Sequence, residues 1–162
     1  MAYQPGFTYV SGPKPRIVES IISSSATFKA RNPVSISSVG RTVREYLSTD
    51  TVLYGIAMHD ASASFAGRTG RCLVEIPNDN TVYAVAVQTG VAASVLSVYQ
   101  GYAMEKSGNY WRLDTDSVAT APIFIVPRED YSTIDSADST VFVQFYRNRL
   151  IEQSDASVGI AS

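Results

Sequence analysis

The sequence predicts an all-β fold, a small β-barrel or β-sandwich behind an extended N-terminal arm. Three observations predict it: short runs of alternating apolar residues, turn residues between them at sandwich or barrel spacing, and little helical periodicity. Within the 162 residues this places an arm at 1–25, a β-domain at 26–150 and a flexible C-terminal tail at 151–162. A single domain of this length buries about 68–70% of its unfolded surface, so its core needs no covalent staple.

The elements follow in order. "VLYGIAM" (52–58) sets Val52, Tyr54, Ile56 and Met58 against Leu53, Gly55 and Ala57. "CLVEI" (72–76) puts Cys72, Val74 and Ile76 on one face and Glu75 on the other, and "PNDN" (77–80) supplies turn chemistry. "TVYAVAVQT" (81–89) then reads as the returning strand of a hairpin. "VLSVYQGYAM" (95–104) and "YWRLD" (110–114) flank "EKSGN", a second hairpin with Gly108-Asn109 suited to positive φ. "PIFIV" (122–126) and "TVFVQFYRN" (140–148) complete the pattern. "VGRTVREYLSTD" (39–50) fits a turn or two of helix, but strand or extended structure is favoured. The expected core comprises Val52, Tyr54, Ile56, Val74, Ile76, Val85, Val143 and Phe145.

The arm mixes Tyr3, Phe7 and Tyr9 with Pro5, Pro13 and Pro15. Prolines keep it out of helix and central sheet, and its aromatics are too many for a solvated linker. Tyr3, Phe7, Tyr9, Lys14 and Arg16 are therefore the candidate partner contacts, docking on a neighbouring subunit or packing back on the domain. The tail, "QSDASVGIAS", is small and polar and is expected to fray.

Charge and cysteine content narrow the function. A net charge of −2 argues against a general nucleic-acid binder. Residues 1–71 carry eight Lys/Arg against four acids, and residues 72–162 carry five against eleven, giving nets of +4 and −6. Such a split can orient a protein against a charged surface or its own copies. One cysteine forms no internal disulfide, no run approaches the length of a membrane span, and the N-terminus lacks the apolar region of a signal peptide. No membrane partner is expected, and the low cysteine content is cytoplasmic in type.

No catalytic constellation stands out. His59, the only histidine, is followed by Asp60, Ser62 and Ser64. A nucleophilic triad gathers its members from separate elements, and neighbours leaving a strand point apart. The segment reads as a strand end with a turn-initiating Asp. One His and one Cys do not make the usual zinc sets, "LDTDS" lacks the glycine and terminal Glu of a calcium loop, and "GRTGR" (67–71) lacks the Lys-Ser/Thr of a phosphate loop. No cofactor and no metal are expected. Tyr110 and Trp111 read as cross-strand packing, with a carbohydrate or protein surface as the alternative.

The order of segments "FKARNPVSI", "VLYGIAMHDASAS", "CLVEIPNDNTVYAVAV", "GYAMEKSGNYWRLDTDS" and "STVFVQFY" resembles the capsid decoration (cement) proteins of tailed bacteriophages. The resemblance covers residues 27–146. It rests on a "GIA..DAS"-like strand end, a "G..Y.L....N.W.LD"-like hairpin and a "V.V.F" closing strand. The arm and the 127–139 insertion, "PREDYSTIDSADS", depart from it. The resemblance implies a non-enzymatic virion protein, usually a homotrimer, that sits on the capsid exterior, binds the major capsid protein and clamps neighbouring capsomers. Two alternatives stay open: another virion component, such as a head–tail connector, tail or receptor-binding subunit, and a carbohydrate-binding or hydrolytic β-domain.

Overall fold

The computed structural model describes residues 6–37, 42–50, 52–63, 67, 69–78, 80–87, 96–116, 122–127 and 140–150. In chain order the strands are β1 (Thr8–Ser11), β2 (Arg16–Ile21), β3 (Pro33–Ile36), β4 (Val43–Glu45), β5 (Gly55–Ala57) and β6 (Arg71–Ile76). They continue as β7 (Val82–Ala86), β8 (Gly101–Ser107), β9 (Tyr110–Asp114), β10 (Ile123–Val126) and β11 (Thr140–Phe145), before a 3-10 turn at Arg147–Arg149. Two antiparallel sheets form, ordered β1-β7-β11-β10-β8-β9 and β2-β6-β5-β3-β4. The all-β class is as expected, and of the two architectures the arrangement is sandwich-like. Parallel bridges at Ile22–Val43 and Val87–Leu113 bring β2 beside β4 and β7 beside β9, so both sheets curl without closing into a barrel.

Period-2 alternation explains most elements. Cys72, Val74 and Ile76 of β6 are buried while Arg71, Leu73 and Glu75 are half-buried, and β11 buries Val141, Val143 and Phe145 in the same way. The hairpin of β8 and β9 pairs Ser107 with Tyr110, and Gly108 takes the positive φ its turn demands. The 43–45 segment is strand β4, paired with β3. Gly55 is required by close approach, since a Cβ there would lie 2.2 Å from the Glu75 carbonyl oxygen of the neighbouring strand.

Two hydrophobic clusters result. The larger gathers Tyr83, Val143, Phe145, Leu113, Ile123 and Met104 of the first sheet with Tyr46, Leu53 and Ile56 from the second sheet's side. The smaller sits on the other side of the second sheet, where Val34, Val43, Cys72 and Val74 meet Ile22 and Phe28 of the β2–β3 connection. Burying each large side chain stabilises the fold by about 1.5–3 kcal/mol, before chain entropy is set against it. Seven of the eight expected core residues are buried; Val52 is half-buried, because Leu53 takes the inward place and bridges to Leu150.

Two expectations are corrected. The strands at 72–76 and 81–89 do not form a hairpin. β6 pairs with β2 and β5, whereas β7 pairs with β1 and β11 in the other sheet. The intervening turn is held by the Asn78 N–H donating to Thr81 Oγ1 at 3.1 Å and the Thr81 hydroxyl donating to the Pro13 carbonyl at 2.9 Å. It carries the chain across the core. The reason lies in β7, which buries Val82, Tyr83, Ala84 and Val85 in succession, as an inner strand covered on both sides does.

The described part of the expected arm is built into the β-domain. Thr8 and Tyr9 pair with Ala84 and Tyr83, and Arg16–Ile21 runs the full length of β6. Pro13 and Pro15 fall between the strands, where no ladder hydrogen bond is lost. The 128–139 part of the insertion and the 151–162 tail lie outside the described residues.

Candidate interaction surface

The strand end that raised the question of a hydrolytic site is a brace between loops. Asp60 Oδ1 accepts the Ala30 N–H at 2.8 Å, and Oδ2 lies 3.7 Å from Lys29 Nζ. Its carbonyl accepts the Ala63 N–H at 3.0 Å to form a turn, and the Ala61 N–H donates to the Phe28 carbonyl at 2.8 Å. Both carboxylate oxygens thus face the 28–30 segment. His59 is half-buried and Ser62 exposed, while Ser64 lies outside the described residues.

Other polar side chains act as struts. Glu45 on β4 accepts from Lys106 Nζ at 2.8 Å and from Trp111 Nε1 at 3.1 Å, both on the opposite sheet. Trp111 is buried and packs edge-on against Tyr46, ring centroids 5.3 Å apart, so it is core and not a carbohydrate platform. The Asn32 amide donates to the Asn109 carbonyl at 2.8 Å, fastening the β8–β9 turn to the second sheet. Arg44 grips Asp50 with two bonds of 2.8 and 2.9 Å. Burial pushes the Cys72 thiol up to about 11, which keeps it protonated at neutral pH. Asp114 Oδ1 accepts the Asp116 N–H at 2.9 Å, closing a small turn.

The candidate contacts divide. Phe7 is 1% exposed and lies against Phe145 and Tyr83 at centroid distances of 5.5 and 6.3 Å. Its place as a partner contact is corrected: the ring fills the protein's own core. Tyr9 is half-buried against Tyr83 and donates its hydroxyl to the Gly12 carbonyl at 2.6 Å. Lys14 and Arg16 are exposed, and Tyr3 lies outside the described residues.

The exposed apolar residues are different ones. Ile17, Ile21, Leu47, Val98 and Tyr99 are exposed by 52, 50, 52, 38 and 68%. Ile17 and Ile21 share a face of edge strand β2, because their register partners are Glu75 and Arg71, with Glu19 opposite Leu73 between them. The alternation in "RIVESI" carried that signal, since only one of its two faces takes Val18 inward. Leu47 follows β4, and Val98 and Tyr99 occupy the turn before β8.

Comparison with protein-family models, with curated proteins and with solved structures finds no match for this chain.

Proposed function

We propose that this chain is a non-enzymatic virion structural protein that binds the outer surface of an assembled phage capsid and stabilises it by bridging capsomers. The observation that carries the reading is the set of exposed apolar side chains, Ile17, Ile21, Leu47, Val98 and Tyr99, on a body that buries or half-buries the other large hydrophobics among the described residues. Apolar side chains mark a contact surface where they lie together, as Ile17 and Ile21 do on edge strand β2. The resemblance to decoration proteins in residues 27–146 adds the partner, the major capsid protein, and a homotrimer as the form that binds.

The physical basis is mass action. A protein that binds the assembled lattice and not its free subunits stabilises assembly by its binding free energy. Symmetric copies with several weak contacts each reinforce one another through effective concentration. The test is co-sedimentation with shells of the capsid protein encoded in the same genome, beside the unassembled capsid protein. Binding to shells alone, with a raised shell melting temperature, is expected. Equal binding to unassembled subunits would overturn the reading, and rings or tubes of the purified chain would favour a connector.

A further inference from the structure

We draw no further inference here: the strongest candidate, the apolar surface patch of Ile17 and Ile21 on edge strand β2, carries nothing, because nothing in the structure shows what covers it.

Discussion

The Tyr83 hydroxyl donates to the Glu75 carboxylate across 3.1 Å, joining β7 of one sheet to β6 of the other at the crossing that replaces the expected hairpin. Burial raises the Glu75 carboxyl above its ordinary range, and the bond from Tyr83 opposes that rise without cancelling it. Burial likewise holds the Tyr83 phenol protonated throughout the accessible pH range. A carboxyl with a raised folded pKa favours the folded state below the ordinary glutamate pKa and loses that advantage as pH rises through the folded value. Glu75→Gln keeps an acceptor for Tyr83 and removes the buried charge. Its stability at neutral pH should equal or exceed wild type, and the difference should vanish near pH 4. Urea melts at the two pH values check this; a Gln variant less stable than wild type at neutral pH would count against it.

Arg44 and Asp50 give the opposite sign. Burial alone would raise Asp50, but the Arg44 hydrogen bonds, the Leu47 N–H at 2.8 Å and the Arg44 charge together pull its pKa down. A depressed carboxyl contributes stability above the ordinary aspartate pKa and loses it as pH falls through the folded value. Asp50→Asn should therefore destabilise the protein at neutral pH and matter little in strong acid. Solvent reaching the half-exposed Arg44 screens the ion pair, so the loss at neutral pH should be about 1 kcal/mol. Thermal melts from neutral pH down to about pH 2.5 measure it, and an equal loss across the range would refute the assignment.

Glu45 makes a sharper test because its partner is the only tryptophan. Removing the carboxylate in Glu45→Ala leaves a buried indole N–H without its acceptor, which costs about 1–3 kcal/mol. Glu45→Gln keeps an acceptor for the indole and loses only the charge facing Lys106, a solvent-facing contact worth about 0–1 kcal/mol. The Ala variant should also shift tryptophan emission, because the indole environment changes with it. If the two variants lose equal stability, the Lys106 contact and not the indole bond is what Glu45 contributes.

Strand identity was legible in the sequence where alternation was clean, as in Cys72, Val74 and Ile76 or Val141, Val143 and Phe145. Connectivity was not. Pro77 and Asn78 signal a turn whether the chain returns within a sheet or crosses to the other, and what decides is the two-sided burial of Val82–Val85, a non-local property. The same holds for contacts. Glu45, Lys106 and Trp111 lie on strands far apart in sequence, and no local pattern pairs them. Tyr99 was hidden for a different reason: a left-handed tyrosine runs against propensity, so nothing in "SVYQ" announces the turn. His59-Asp60 was read as a turn from local chemistry, and the bond from the Ala63 N–H to the Asp60 carbonyl agrees, because that feature is local; the Asp60 carboxylate's bond to Ala30, 30 residues away, had no local signal.

The N-terminal segment carries the last prediction. From its aromatics and prolines, the segment at 1–25 reads as an arm apart from the β-domain. The structure puts Phe7 at 1% exposure between Tyr83 and Phe145, with its N–H donating to the Arg31 carbonyl at 2.8 Å. Behind it β1 covers the edge of β7, and Thr81 bonds to Pro13. Phe7→Ala opens a cavity in the larger cluster and should cost about 3–5 kcal/mol. Phe7→Leu keeps most of the volume and should cost about 1.5 kcal/mol or less. Deleting residues 2–16 removes the ring and β1 together and exposes the β7 edge, so the free protein should lose its cooperative melt. Urea unfolding of the two point variants and a thermal melt of the truncation measure these effects. A truncated chain that melts like the wild type would show that the segment is dispensable to the core, and would return Phe7 to the list of surfaces open to a partner.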